Sequence, residues 1–171
     1  MVADDAASHA DVLKGIIGQS TGKSKVVVER GPVTHFAEAV GSTSPIYRNP
    51  EAATAAGFDA IPAPPTWPFA MEFSGKFEEI QPSDAPTGNP LMAAVGPLMA
   101  QGGLILHGEQ EFIYHRPVLV GDVLTGEGSI TDAYQKESKG RTMTFICSET
   151  NWSDEAGQPV VTARFNLIHR S

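Results

Sequence analysis

The sequence predicts an α+β protein in which a five- to six-stranded antiparallel sheet packs against a central helix. From Leu104 onward, apolar and polar residues alternate over four successive segments, which is the period of half-buried strands. A short β-branched run at 24–30 predicts a further strand. Between them, apolar residues recur at steps of three and four from Phe69 to Ile80, which is the spacing of a helix face. One helix beside consecutive strands favours a sheet with the helix on one side.

The four C-terminal strands are separated by turn residues, among them Gly121-Asp122 and Lys139-Gly140. These strands are predicted at 106–118, 123–137, 141–153 and 159–168.

The rest of the chain is predicted to contribute shorter elements to a single domain over 21–171. Residues 1–20 are expected to form a flexible or weakly helical N-terminal leader. Proline at the start and glycine at the end predict one compact helix over 32–41 and another from 50 to 57. The segment 81–103 is rich in proline and glycine, and we expect either a lid or a loop ordered against an apolar surface.

Composition excludes several classes of protein. The chain has 171 residues and a net charge of −8 without a block of Lys or Arg, so no nucleic-acid partner is expected. No apolar stretch is long enough for membrane insertion, and no signal peptide is recognisable, so a cytoplasmic location is expected. The single cysteine, Cys147, excludes an internal disulfide. The five histidines lack ligand spacing, so no metal site is predicted.

Two phrases in a fixed order carry a resemblance to a known family. Gly41-Ser42-Thr43-Ser44-Pro45-Ile46-Tyr47 is followed by Ala63-Pro64-Pro65-Thr66. This order resembles the MaoC-like, type-2 enoyl-CoA hydratase branch of the hot-dog fold. The family loop reads Gly-Asp-x-Asn-Pro-Leu-His, and its Asp and His perform the hydration. Here the matching positions hold Ser42, Ser44 and Tyr47, so the resemblance implies a hydratase fold without the usual acid–base pair.

A third phrase narrows the resemblance. His107-Gly108-Glu109-Gln110-Glu111-Phe112 continues to His115-Arg116-Pro117, with Gly121-Asp122 after it. It is similar to the non-catalytic N-terminal halves and substrate-holding subunits of hydroxyacyl-thioester dehydratases. The resemblance implies no cofactor, an acyl-CoA or acyl-carrier thioester as substrate, and a homo- or heterodimer with another hot-dog subunit. It places the following residues at the substrate: Ser42, Pro45, Tyr47, Pro64, Pro65, Thr66, Trp67, Phe69, Phe73, Gln110 and Arg116.

Several alternatives remain open from the residues alone. In a regular strand His107, Glu109 and Glu111 share one face, so His107 and Glu109 are a second candidate for a base and its orienting carboxylate. Such a pair would make the protein a self-sufficient homodimeric hydratase. Arg116 is a candidate either for a phosphate clamp or for an ion pair with a nearby acid. Glu72 is the only candidate carboxylate for a thioesterase, and an acyl-CoA binding module without chemistry is a further alternative.

Overall fold

The computed structural model describes residues 3–86 and 88–171, and it contains one antiparallel sheet of five strands in the order β1-β3-β4-β5-β2. The five- to six-stranded antiparallel sheet of the prediction is therefore confirmed, and β1 and β2 form its two edges. The strands are β1 (Ser20–Val27), β2 (Leu104–Tyr114), β3 (Val123–Ser138), β4 (Arg141–Ser153) and β5 (Pro159–Arg170).

The α-helices are α1 (Ala3–Ile16), α2 (Arg30–Ala39), α3 (Pro50–Ala55) and α4 (Pro90–Ala100). Short 3₁₀ helices occupy much of the remaining chain before β2, at Pro45–Tyr47, Trp67–Phe69, Met71–Phe73 and Glu78–Ile80.

Two hydrophobic clusters lie side by side on one face of the sheet. On β4, Ile146 and Trp152 are separated by an even number of residues, so their side chains share this face, which we call the inner face. Trp152 belongs to a first cluster with α2, α3 and the 3₁₀ turns, and Ile146 belongs to a second cluster with α1 and α4. The helices thus cover the inner face and leave the outer face of the sheet without a covering helix, the arrangement expected of a hot-dog fold.

The prediction of a continuous helix around 69–80 is wrong. The segment forms separate 3₁₀ turns, and the α-helices packed into the first cluster are α2 and α3. At Gly75 the chain presses against β1, where a Cβ would lie 2.0 Å from the Val27 carbonyl oxygen. The predicted apolar face remains at the surface, because Phe69 and Phe73 are 52% and 83% exposed.

Of the two alternatives predicted for the leader over 1–20, flexible or weakly helical, the described residues adopt the helical one. Residues 3–16 form α1, and Leu13 and Ile16 are buried in the second cluster. Met1 and Val2 lie outside the described residues. The leader is ordered because its two apolar side chains, three residues apart, face α4 and β3.

The segment 81–103 contains a helix where a loop was predicted. The side chain of Asn89 accepts a hydrogen bond from the Leu91 N–H at 3.0 Å, and Pro90 occupies the first helical turn. Ala94, Val95 and Leu98 are buried, so α4 is part of the second cluster and not a lid. Of the two sequence alternatives, order against an apolar surface is the correct one; Thr87 lies outside the described residues.

Candidate functional site

A groove runs along the inner face of edge strand β2. The register with β5 changes between His107 and Gln110, where a β-bulge inserts one extra residue into β2. As a result, His107 projects from the same face as Gln110, Phe112 and Tyr114. This row forms one wall of the groove.

The bulge overturns one sequence inference. In a regular strand His107 and Glu109 would share a face, but Glu109 instead accepts a hydrogen bond from Asn166 Nδ2 at 3.2 Å on the outer face. The His107 ring packs between two aromatic rings, with centroid distances of 5.3 Å to Phe69 and 4.6 Å to Phe165. His107 therefore lies in the groove without an orienting carboxylate among its hydrogen-bond partners in the described chain.

The opposite wall is the segment 62–69, which carries the Ala-Pro-Pro-Thr phrase. Two adjacent hollows of about 410 and 470 Å³ lie between this segment and β2. Pro65 and Tyr114 line the first hollow, and Thr66 and Phe112 line the second. Both are predominantly apolar, a composition that suits an acyl chain.

Tyr114 fixes the two walls to each other. Its hydroxyl donates a hydrogen bond to the Pro65 carbonyl oxygen at 2.8 Å. Partial burial of the side chain, which is 39% exposed, raises the pKa of Tyr114 above its ordinary value, and the nearby Tyr47 phenol raises it further. Tyr114 therefore remains a neutral donor at physiological pH, and it stands beside Tyr47 in the first hollow.

The loop that matches the family's catalytic loop lies between α2 and α3. The Arg48 guanidinium donates to the carbonyl oxygens of Ser42 and Ser44, at 2.7 and 3.2 Å, and its Nε lies 3.6 Å from Glu38. The Thr34 hydroxyl donates to the Tyr47 carbonyl oxygen at 3.3 Å. The loop keeps an ordered backbone while its Asp and His positions hold Ser42 and Tyr47, which cannot act as a base at neutral pH unaided.

Arg116 lies at the rim of the first hollow, but its charge is already paired. It donates two hydrogen bonds to Asp122, at 2.8 and 3.1 Å, and lies 3.5 Å from Asp154. These contacts favour the ion pair over the phosphate clamp, the two alternatives that the sequence left open. Asp122 also accepts from the Leu119 N–H at 2.8 Å, so the pair stabilises the turn after β2.

Gln110 has one polar atom without a partner. Its Nε2 donates to the Arg164 carbonyl oxygen at 2.8 Å, which fixes the orientation of the amide. Its Oε1 is buried and accepts no hydrogen bond in the described structure. Since buried carbonyl oxygens are normally paired, this oxygen is suited to accept a hydrogen bond from a ligand.

The groove opens at the unpaired side of β2. Leu104, Ile105 and Leu106 are exposed on this edge, and the exposed rings of Phe69 and Phe73 lie beside each other with centroids 6.5 Å apart. A long apolar edge strand is a surface that proteins normally cover.

The other predicted residues are divided between the groove and its surroundings. Pro45 begins the 3₁₀ turn before Arg48, Pro64 is buried behind the groove, and Trp67 belongs to the first cluster. Glu72, the thioesterase candidate, is engaged elsewhere, since it accepts a hydrogen bond from the buried Ser24 hydroxyl at 2.6 Å.

Sequence reasoning missed Phe36, Phe58, Phe112 and Tyr114 as lining residues. For Phe112 and Tyr114, alternation along β2 counted from Gln110 would have identified the face.

Within residues 3–86 and 88–171, no group of three or more potential ligands is placed to hold a metal ion. None of the helices in these ranges is long and apolar enough to cross a bilayer.

The sheet order, the helices on one face and the groove beside β2 define a protein of the hot-dog class. The chain belongs to the family described as "FAS1-like, dehydratase domain region", whose model matches residues 15–163. It is also 35% identical over 144 residues to a UPF0336 protein of Streptomyces avermitilis, which covers 84% of this chain and 85% of the relative. A "probable enoyl-CoA hydratase alpha subunit" of Thermomonospora curvata is 29% identical over 143 residues, covering 80% of this chain and 43% of the relative.

Solved structures support the same fold. The ChsH1-ChsH2 complex from Mycobacterium tuberculosis contains a chain with a TM-score of 0.73 and 22% identity, covering 98% of this chain and 92% of that chain. The HadBC (3R-hydroxyacyl-ACP dehydratase) complex from the same organism gives a TM-score of 0.65 at 21% identity, covering 90% and 96%. At these identities the similarity establishes the hot-dog fold.

Proposed function

We propose that this chain is the acyl-binding subunit of an (R)-specific enoyl-thioester hydratase or 3-hydroxyacyl-thioester dehydratase. The observation that carries the proposal is the apolar groove along β2, which opens at an unpaired edge. Hydration adds a water hydroxyl to the β-carbon of the enoyl thioester and a proton to its α-carbon. One group must deprotonate the water and another must deliver the proton.

The acid–base pair would come from a second hot-dog subunit. In this chain the equivalent loop presents Ser42, Ser44 and Tyr47, and Arg48 holds its carbonyl groups. A partner sheet that paired with β2 would satisfy the edge and cover the exposed Phe69 and Phe73. It would also close the open side of the groove, which excludes water from the acyl chain.

This chain's own residues would bind and orient the substrate. The predominantly apolar hollow lined by Phe36, Phe69 and Phe112 suits the acyl chain. Gln110 Oε1 would accept a hydrogen bond from an amide N–H of the pantetheine arm that carries the thioester. Two solved neighbours are complexes, HadBC and ChsH1-ChsH2, which supports an assembly of two hot-dog subunits.

The proposal is tested by following the loss of enoyl-thioester absorbance with the chain alone and after addition of a hot-dog partner that carries the intact Asp and His. We expect turnover only with the partner. Robust turnover by the chain alone, abolished by His107→Ala, would instead establish the self-sufficient homodimeric enzyme. Saturable acyl-CoA binding without turnover beside any such partner would establish a binding module.

The partner concentration needed for turnover in the same assay reports association, and it tests where on this chain the partner binds. Phe73→Ser removes an 83% exposed ring and should leave the fold of the isolated chain unchanged, because the ring is scarcely buried. If the partner covers this ring, association should weaken about tenfold or more. Phe77→Ser, at 38% exposure in the same segment, is the matched control for loss of a surface phenylalanine. Equal effects of both variants on association would contradict contact centred on Phe73.

A further inference from the structure

The outer face of the sheet carries a mixed cationic and apolar surface at the β3–β4 hairpin end. The register places Lys136 opposite Met143, Met143 opposite Arg170, and Arg170 opposite Leu104, so these four residues form one row across four strands. Met143 alternates with the buried Thr144, which assigns the row to the outer face.

A second row beside the first is apolar and aromatic. Tyr134 pairs with Phe145, Phe145 with Ile168, and Ile168 with Leu106. The rings of Tyr134 and Phe145 stack at 4.9 Å, and Lys136 Nζ lies 5.1 Å from the centroid of the Tyr134 ring. A shallow hollow of about 400 Å³ at the end of this row is lined by Leu106, Lys139, Arg141, Met143 and Arg170.

The cations of this surface have no anionic partner among the described residues. Across the described residues, no carboxylate lies within ion-pair distance of Lys136, Lys139, Arg141 or Arg170, whereas Arg164 on the same face is paired with Glu111 and Glu149. Four unpaired cations at one end of a chain of net charge −8 concentrate its positive potential there.

We propose that this surface is the docking site for the acidic helix of an acyl-carrier protein, which would deliver the thioester. The inference rests on the proposed function, because it assigns the carrier of that substrate. A row across four strands is about 15 Å wide, and an α-helix with its side chains is about 10–12 Å in diameter. An acidic helix with one apolar stripe would match the cations with its carboxylates and the Tyr134–Leu106 row with its apolar face.

The spread of the charges favours a helix over the phosphates of coenzyme A. Phosphate recognition uses donors that converge on one group, often with bidentate arginine geometry. Here Lys136, Arg141 and Arg170 project from three different strands with apolar residues between them. An anionic lipid surface is disfavoured because a planar bilayer would extend over the whole outer face and meet Glu109, Glu111 and Glu149, whereas a single helix would cover only the two rows at the hairpin end.

The test is a titration of the full chain with a fluorescently labelled acyl-carrier protein at low and high salt. We expect binding that weakens with salt, as exposed ion pairs do. The double variant Lys139→Glu/Arg141→Glu should weaken it roughly tenfold or more. The matched control is Lys14→Glu/Lys76→Glu, which makes the same charge change in α1 and in the segment between Phe73 and Glu78, away from the hairpin end, and it should stay within about twofold.

Each of the following results would contradict the proposed docking site. Equal losses in both double variants would indicate a response to net charge alone. A matching loss when coenzyme A is the probe would assign the cations to its phosphates. Binding to phosphatidylglycerol vesicles but not to the carrier would assign a lipid surface. Because the titration requires no turnover, it separates failure of the docking site from failure of the proposed hydratase activity.

Discussion

The Tyr114 hydroxyl donates a hydrogen bond to the Pro65 carbonyl oxygen at 2.8 Å, and this bond joins edge strand β2 to the opposite wall of the groove. Proline cannot donate to a sheet ladder, so the Ala-Pro-Pro-Thr segment is attached to β2 through a carbonyl oxygen and a side chain. This bond acts together with the one from the Ala63 N–H to the Val118 carbonyl oxygen, at 2.8 Å, to hold the two walls in place.

Tyr114→Phe should lower the free energy of unfolding by about 1 kcal/mol at neutral pH, the usual net contribution of one hydrogen bond. The folded state raises the pKa of Tyr114, so its contribution is fully present below the unfolded pKa of about 10. It is lost as pH rises through the folded pKa. Denaturant unfolding as a function of pH should therefore give a shallower alkaline decline for the variant than for wild type.

Tyr47→Phe is the control for this prediction. The phenol of Tyr47 lines the same hollow, and only its backbone carbonyl takes part in a hydrogen bond in the described structure. Its removal should leave the neutral-pH free energy of unfolding within about 0.5 kcal/mol. A loss equal to that of Tyr114→Phe would show that the hydrogen bond to Pro65 does not stabilise the fold.

The sequence predicted the sheet well because each strand repeats a local pattern. Alternation over β3, β4 and β5 required no knowledge of neighbouring elements, and the predicted bounds 123–137 and 141–153 lie within one residue of the observed strands. The absence of the family's Asp and His could likewise be seen directly at Ser42 and Tyr47. The fold class and the incomplete catalytic loop could therefore be predicted from the sequence.

The geometry of the groove could not be predicted from the sequence in the same way, because tertiary contacts determine it. The β2 bulge places His107 with Gln110 and separates it from Glu109, and no local pattern indicates where such an insertion occurs. Helical spacing over 69–80 was likewise misleading, since the close contact between Gly75 and Val27 of β1 interrupts the segment, which forms separate 3₁₀ turns. The two errors have the same origin: each concerns a segment whose conformation depends on a neighbour.

Gly75 provides a test of that close contact. The Val27 N–H donates to the Gly75 carbonyl oxygen at 2.9 Å, and a Cβ at Gly75 would meet the Val27 carbonyl oxygen at 2.0 Å. Gly75→Ala must displace backbone, so we expect a loss of about 1–3 kcal/mol in the free energy of unfolding, measured by denaturant titration.

Gly15→Ala is its matched control. Gly15 lies within α1, and a Cβ there would meet nothing within 4 Å. Alanine in a helix should increase stability by up to about 1 kcal/mol. Two changes of the same kind should thus have opposite signs, and a stabilising Gly75→Ala would contradict the contact.

The turn after β2 should depend on the Arg116–Asp122 pair. The Asp122 side chain is only 16% exposed and accepts from both Arg116 and the Leu119 N–H. Asp122→Ala would leave a partly buried guanidinium and a backbone N–H without this acceptor, at a cost of about 2–3 kcal/mol in the free energy of unfolding. Thermal or denaturant unfolding at neutral pH measures the loss.

Glu111→Gln tests an exposed ion pair for comparison. Arg164 and Glu111 lie 3.0 Å apart with side chains 50% and 58% exposed. Solvent screening limits such a pair to about 0–1 kcal/mol. If Glu111→Gln lowered the free energy of unfolding as much as Asp122→Ala, burial would not explain the contribution of the Arg116–Asp122 pair.

The last prediction separates ligand binding from folding at Gln110. Gln110→Leu removes the bond from Nε2 to the Arg164 carbonyl oxygen, but it also removes the buried Oε1 that accepts no hydrogen bond. These changes oppose each other, so the free energy of unfolding should change by less than about 1 kcal/mol. If Oε1 accepts a hydrogen bond from the thioester arm, the affinity for an acyl thioester should fall by about five- to tenfold, which isothermal titration measures.

Glu111→Gln, on the outer face of the same strand, should leave that affinity unchanged. A destabilised Gln110→Leu with unaltered affinity would show that Gln110 supports the strand and does not contact the ligand.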